Sequence, residues 1–247
     1  MNRTEIEARL TNPVQRDYGV YLNAHLLLQC QKPFDQLCNP DELQFQIVHQ
    51  VEELWMKLIA YSLLDAHDAI VAGAALKAIT LLDRVNQIMR LMIDQLDLLE
   101  TMSPKDYQSI RLQLGNGSGQ ESPGFSVLLE QPAHLWATYK ARYLDEDKRT
   151  LHDIYDHDYR HDEAYLIAEK MLDYDELFQK FRAHHIFLIN RSIGMGANSL
   201  KGRSVDLLQA GVRHRFFPAL WDVRSAMTDA WGQQYGQKRA SISDSAQ

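Results

Sequence analysis

Apolar residues recur at intervals of three and four positions along most of this chain, and that spacing is typical of amphipathic helices. The pattern is clearest over 75–102, where it predicts one long helix. A second long helix is predicted from Pro40 to about Ala72, with Asn39 as its N-cap. Shorter helices are predicted over about 18–31, 104–114, 125–144, 162–172, 178–193, from about 205 onward, and over 218–231.

Strand signals do not accompany these helical patterns. The sequence has no run of alternating β-branched residues bounded by turn residues. We therefore expect an all-α protein, a helical bundle of long helices, with residues 1–247 forming a single domain. Residues 1–15 are expected to form an N-terminal arm. Residues 233–247 have little apolar content and are expected to be a disordered tail.

Composition and charge narrow the functional classes. Of the 247 residues, 45% are hydrophobic and 24% are charged, which is ordinary for a globular protein. The formal net charge of −7 argues against non-specific binding to nucleic acid and against attraction to an anionic membrane. The two cysteines are not in a CxxC arrangement, and the N-terminus lacks an apolar signal core. We expect a cytoplasmic protein that binds neither nucleic acid nor membrane.

A histidine on an apolar helix face is the first candidate for chemistry. Phe178, Phe181, His185 and Leu188 recur at one face of the helix predicted over 178–193. A histidine in such a place is most often a hydrogen-bonded core residue. The functional alternative is an axial ligand to a haem iron, with the apolar neighbours lining the macrocycle. The pattern alone does not choose between His185 and the adjacent His184.

Two further pairs of residues are four positions apart and so share a helix face. Phe45 and His49 form the first pair, and His49 is either a core histidine bonded to a carbonyl or a pocket residue facing a substrate. Tyr107 and Arg111 form the second, just before the glycine-rich stretch 115–124. The guanidinium is either a surface ion-pair partner or a bidentate site for a carboxylate.

The chain resembles the tryptophan 2,3-dioxygenase family through several short motifs in the same order and at similar spacing. The motifs are Tyr18-Gly19-Val20-Tyr21-Leu22, Phe45-Gln46-Ile47-Val48-His49-Gln50, Glu53-Leu54-Trp55, Leu99-Glu100-Thr101-Met102-Ser103-Pro104, Ser118-Gly119, the stretch 178–194, and Phe216-Phe217-Pro218 with Leu220-Trp221-Asp222-Val223-Arg224.

This resemblance implies haem b as the cofactor, held in a pocket enclosed by the helices, and O2 as a co-substrate. In the family the axial histidine lies six residues before an arginine and nine before a glycine. Arg191 and Gly194 therefore make His185 the implied iron ligand. The same resemblance assigns Gly119 to the cofactor pocket.

The resemblance also implies which residues meet the substrate. It places Phe45 and the catalytic His49 against the indole ring, and it gives Arg111 with Tyr107 the substrate carboxylate. Three more substrate-binding residues follow from it: Tyr18 and Tyr21, which would reach the pocket of a neighbouring subunit in a homotetramer, and Ser199, which stands where the family has a threonine. A homo-oligomer, dimer or tetramer, is therefore expected.

One loop departs from the family pattern. Residues 198–204 read NSLKGRS where the family has a run dominated by glycine. The leading function is O2 insertion into the indole ring of L-tryptophan or a close derivative. Because of the loop, a haem-dependent aromatic mono-oxygenase acting on a tyrosine- or tryptophan-like substrate in secondary metabolism is an alternative. A helical haem-binding protein without turnover is the second alternative.

Overall fold

We analysed a computed structural model of the chain, which describes residues 2–11, 14, 16–115, 117, 119–157, 161–195, 214–231 and 241. All the regular secondary structure of these residues is helical, which confirms the all-α prediction. The helices are α1 (Arg3–Thr11), α2 (Asp17–Tyr21), α3 (Ala24–Leu27), α4 (Asp41–Val71), α5 (Ala75–Leu99), α6 (Pro104–Gln113), α7 (Pro123–Lys140), α8 (Leu151–Tyr155), α9 (Glu163–Ile193) and α10 (Pro218–Trp231).

Four long helices form the body of the protein. Helix α4 packs against α5 on one side and α7 on another, and α5 packs against α9. Their facing surfaces are apolar and lose their contact with water, which is the main stabilising contribution to such a bundle. The largest fully buried side chains include Tyr139, Tyr174, Phe178 and Phe217. Across the described ranges, no helix is at once long enough and apolar enough to traverse a lipid bilayer.

Side-chain caps fix where several helices begin. Ser103 accepts the backbone N–H of Asp106 at the start of α6, with Pro104 in the first turn. The Asn39 side-chain oxygen accepts the N–H groups of Asp41 and Glu42, as the sequence predicted for α4. These bonds satisfy amide groups that would otherwise lack partners at a helix N-terminus.

Three parts of the helix prediction were wrong or incomplete. The helix predicted over 18–31 is divided into α2 and α3, because Asn23 adopts a left-handed backbone conformation with φ 51°. The two helices predicted over 162–172 and 178–193 are one continuous helix, α9, since no glycine or proline interrupts 163–193. Helix α1 lies inside the expected N-terminal arm. Residues 205–213, where another helix was predicted, and the tail 233–247 except for residue 241 lie outside the described residues.

A buried carboxylate attaches the C-terminal helix to the bundle. Asp175, in the middle of α9, is 1% exposed. Its Oδ2 accepts the backbone N–H groups of Phe216 at 3.0 Å and Phe217 at 3.1 Å, and the indole N–H of Trp221 at 2.9 Å. A buried carboxylate is stable only when its oxygens are satisfied in this way. The single side chain therefore fixes the start of α10 against the middle of α9.

Replacing Asp175 with alanine should destabilise the protein by about 3 kcal/mol or more, because three buried donors would lose a charged acceptor. The free energy of unfolding, measured by denaturant titration, tests this. Asp145→Ala is the control, since that carboxylate is exposed and forms a surface pair with Lys140; its effect should stay within about 0.5 kcal/mol. Equal, small effects from both substitutions would contradict the role given to Asp175.

Candidate active site

A cavity of about 420 Å³ lies between α4 and α9, with α5 and α7 contributing its other walls. Most of its surface is apolar, and the polar groups on it are few. It is lined by His49, Glu52, Glu53, Met56, Leu96, Leu99, Gly119, Ser122, Phe125, Leu129, Phe181, Arg182, His185 and Ile186. A mainly apolar cavity with a small number of polar groups is the usual form of a cofactor or small-molecule site.

His185 projects into this cavity from α9. Burial lowers the pKa of its imidazole to about 4, with smaller contributions from His49 and His184. The ring is nearly parallel to that of Phe181, with the centroids 6.4 Å apart. No hydrogen bond joins His185 to another residue in the part of the chain that the structure describes. The side chain is therefore a neutral imidazole with a nitrogen lone pair in an apolar enclosure.

His184, its neighbour in the sequence, is engaged elsewhere. Its Nε2 lies 3.2 Å from a carboxylate oxygen of Asp97 and 3.2 Å from one of Glu100, both at the end of α5. Arg191 pairs with the other oxygen of Glu100 at 3.3 Å. The structure thus separates the two histidines that the sequence pattern could not distinguish: His184 belongs to an ion-pair cluster, and His185 lines the cavity.

His49 lines the same cavity from α4. Its Nδ1 lies 2.7 Å from the backbone carbonyl oxygen of Phe45. A carbonyl can only accept, so Nδ1 carries the proton and Nε2 of the neutral ring is left as an acceptor. Burial lowers the pKa of the ring, which favours this neutral form. His49 therefore bonds a carbonyl with one nitrogen, as expected of a core histidine, and it also lines the cavity; its contact with a substrate stays a prediction.

Aromatic contacts continue from His49 to α6. The rings of Phe45 and His49 are 4.1 Å apart between centroids, and those of Phe45 and Tyr107 are 6.3 Å apart. Burial raises the pKa of Tyr107, and the charge of Arg111 partly opposes that rise, which puts the guanidinium close to the phenol. Phe45, Tyr107 and Arg111 thus form a chain of neighbours that begins at His49, and of these four residues only His49 lines the cavity.

Glu52 and Glu53 are cavity residues that the sequence analysis did not single out. Oε2 of Glu53 accepts the backbone N–H of Gly124 at 3.1 Å. A Cβ atom on Gly124 would lie 2.7 Å from Cβ of Met56, so only glycine allows α7 to approach α4 this closely. Glu52 differs, because its Oε1 is buried and has no hydrogen-bond partner among the described residues.

The environment of Glu52 changes its protonation. Burial and the nearby charge of Glu53 raise its pKa to about 8. Near neutral pH the side chain is therefore mainly a neutral carboxylic acid, able to donate as well as accept a hydrogen bond. A buried polar group without a partner costs about 1–3 kcal/mol. The helical spacing to His49, three residues, could have revealed Glu52 from the sequence, because it places both on one face of α4.

The remaining predicted residues are distributed as follows. Gly119 lines the cavity, and the space where its Cβ would lie is open. Tyr18 and Tyr21, on α2, are 78% and 86% exposed and do not line the cavity of their own chain. Ser199 lies outside the described residues. The functional roles of all the predicted site residues stay predictions.

The residues present fit a haem group. The macrocycle needs an apolar enclosure and an axial ligand that is unprotonated at neutral pH. His185 meets the second need because its pKa of about 4 leaves the ring neutral. Phe125, Leu129, Phe181 and Ile186 supply the apolar surface. Arg182, whose guanidinium carbon lies 4.9 Å above the ring of Phe178, adds a cation to the same cavity.

Comparisons with known proteins all identify the same family. A family model described as tryptophan 2,3-dioxygenase matches residues 7–152. A tryptophan 2,3-dioxygenase of Serratia proteamaculans is 29% identical, over 91% of this chain and 99% of that protein. Proteins with the same name from Erythrobacter litoralis and Myxococcus xanthus are 29% and 27% identical, over 85% and 92% of this chain and 98% and 96% of theirs.

The two adjacent histidines allow a matched test of the cavity. His185→Ala should weaken haem binding roughly tenfold or more, because the substitution removes the only imidazole of α9 that faces the cavity, within the described part of that helix. His184→Ala should leave haem binding near the wild-type level, since that ring bonds to α5. Haem titration followed by visible absorption measures both. Loss of haem from the His184 variant alone would contradict the assignment.

Proposed function

The chain belongs to the tryptophan 2,3-dioxygenase family, whose model matches more than half of it, and we propose that it is a haem-dependent oxygenase acting on the indole ring of L-tryptophan or a close derivative. The observation that carries the proposal is the pair of neutral histidines, His49 on α4 and His185 on α9, that line one mainly apolar cavity. In this proposal His185 binds the iron, and the substrate lies on the α4 side of the cavity.

The haem, once bound at His185, supplies the activation of O2, which amino-acid side chains cannot provide. The protein contributes the neutral axial imidazole and an apolar enclosure that keeps bulk water away from the reacting groups. Phe125 and Phe181 form part of that enclosure. The low pKa of His185 means that no proton has to leave its ring before it binds iron near neutral pH.

Substrate orientation follows from the groups around α6. The guanidinium of Arg111 is the proposed partner of the substrate carboxylate, in a bidentate pair, with Tyr107 beside it. Phe45, which contacts both His49 and Tyr107, would then bound the aromatic ring. Fixing the amino acid at one end presents its ring at a defined place in the cavity, which lowers the entropic cost of the reaction.

His49 has a defined part in this arrangement. Because Nδ1 is held by the carbonyl of Phe45, Nε2 is the atom available to a substrate. As an unprotonated nitrogen it can accept the N–H of an indole ring. The hydrogen bond to Phe45 also fixes the orientation of the imidazole, so the acceptor is in place before the substrate arrives.

We further propose that copies of the chain associate, as the resemblance to the family implies. Helices α2 and α3 carry a group of large apolar side chains that are exposed in the single chain, namely Tyr18, Val20, Tyr21, Leu22, Leu26 and Leu27. Contiguous exposed apolar surface of this kind is typical of an interface. Association through α2 would allow Tyr18 and Tyr21 to reach the cavity of a neighbouring subunit. The exposed free thiols of Cys30 and Cys38 support a reducing, cytoplasmic compartment.

Arg111→Ala should raise KM for L-tryptophan roughly 10- to 100-fold, since a charged hydrogen-bonding partner of the carboxylate is lost. The change in kcat should be smaller, because the interaction holds the substrate equally in the ground state and the transition state. Haem content should not change. The measurement is steady-state turnover of L-tryptophan by the haem-loaded protein under air.

Arg84→Ala is the control for the loss of one positive charge, because Arg84 is exposed on α5. It should leave KM close to the wild-type value. An Arg111 variant with unchanged KM would remove Arg111 from the substrate site. Absence of turnover in the haem-loaded wild-type protein with L-tryptophan and with its ring-substituted derivatives would overturn the proposed function.

A further inference from the structure

We propose that Glu52 determines substrate specificity: its carboxyl group receives a hydroxyl substituent on the aromatic ring, so that the site favours a ring-hydroxylated tryptophan over L-tryptophan itself. The inference rests on the proposed function, because it assumes that an aromatic amino acid occupies the α4 side of the cavity. It specifies which derivative of tryptophan the hydrogen-bonding groups of the cavity would bind most tightly.

The first observation is that Glu52 faces the cavity and has spare bonding capacity. The residue is 6% exposed, and it lines the cavity from α4. Its Oε1 has no partner among the described residues. The adjacent Glu53, by contrast, has a structural use, since it accepts the N–H of Gly124 and so attaches α7 to α4. Glu52 makes no comparable described bond, so a purely structural role does not explain its burial.

The second observation is the position of Glu52 relative to His49. The two residues are three positions apart on α4, which places them on one face with Cβ atoms about 5–6 Å apart. Nε2 of His49 is an acceptor, and the carboxyl group of Glu52 has both donor and acceptor capacity when protonated. The α4 wall therefore presents two hydrogen-bonding side chains next to each other on one face of the helix.

An unsubstituted indole ring satisfies only one of these side chains. Its single N–H can bond to His49, and its six-membered ring would then meet Glu52 with carbon and hydrogen atoms only. The carboxyl group would remain buried and unpaired in the complex. A hydroxyl group on that ring can both donate to and accept from Glu52. Sites that contain a buried hydrogen-bonding group discriminate strongly against ligands that lack the matching group.

The test compares dissociation constants for L-tryptophan and for the 4-, 5-, 6- and 7-hydroxy-L-tryptophans with the full-length, haem-loaded protein. Binding is followed by the change in haem absorption without O2, so the result does not depend on turnover. For the wild-type protein, at least one hydroxylated isomer should bind roughly tenfold or more tightly than L-tryptophan.

Two substitutions of Glu52 distinguish the contribution of hydrogen bonding to the binding preference from the contribution of side-chain size. Glu52→Met has a similar volume and no strong hydrogen-bonding group, so it should abolish the preference for the hydroxylated isomer. It should bind L-tryptophan at least as tightly as the wild type does, because no polar group is left unpaired. Glu52→Gln keeps a donor and an acceptor, and it should retain a preference within about threefold of the wild type.

Glu130→Leu serves as the control for removing a carboxylate, since Glu130 is exposed on α7. It should leave the ratio of dissociation constants unchanged. The inference is overturned if no hydroxylated isomer binds more tightly than L-tryptophan to the wild-type protein, or if Glu52→Met keeps the wild-type ratio. Failure of the wild-type protein to bind any of the five compounds would instead overturn the proposed function, and the inference with it.

Discussion

The architecture depends on keeping polar groups neutral inside an apolar cavity. Burial in the cavity lined by α4 and α9 shifts the pKa values of three of its ionisable groups toward the uncharged form. The pKa of His185 falls to about 4, that of His49 is lowered, and that of Glu52 rises to about 8. The same burial therefore prepares an iron ligand, a hydrogen-bond acceptor and a protonated acid in one enclosure.

Contacts between helices keep that cavity open and correctly lined. Gly124 lets α7 approach α4, where Glu53 holds its amide. Asp175 fixes α10 against α9, nearly three helical turns before His185. The contacts of His184 with the carboxylates of Asp97 and Glu100 hold the same end of α9 against α5. Consecutive residues of a helix point about 100° apart, so His184 contacts α5 while its neighbour His185 lines the cavity.

The sequence was sufficient for the fold and for much of the cavity, because helical periodicity reports which face of a helix is buried. It placed Phe181 and His185 on one face, and both line the cavity. It did not reveal that α9 is continuous, since two separate helices and one long helix show the same periodicity. It also missed Glu52, because a glutamate is normally exposed, although its spacing from His49 places both residues on one face of α4.

The most direct test of the proposed activity is the mass of the product formed from L-tryptophan or its preferred ring-hydroxylated derivative under isotopically heavy O2, with the haem-loaded, reduced protein. Our account predicts a ring-opened product that contains two heavy oxygen atoms from one molecule of O2. A product with a single heavy atom and an intact ring would contradict it, and would identify the protein as an aromatic mono-oxygenase built on the same helical framework.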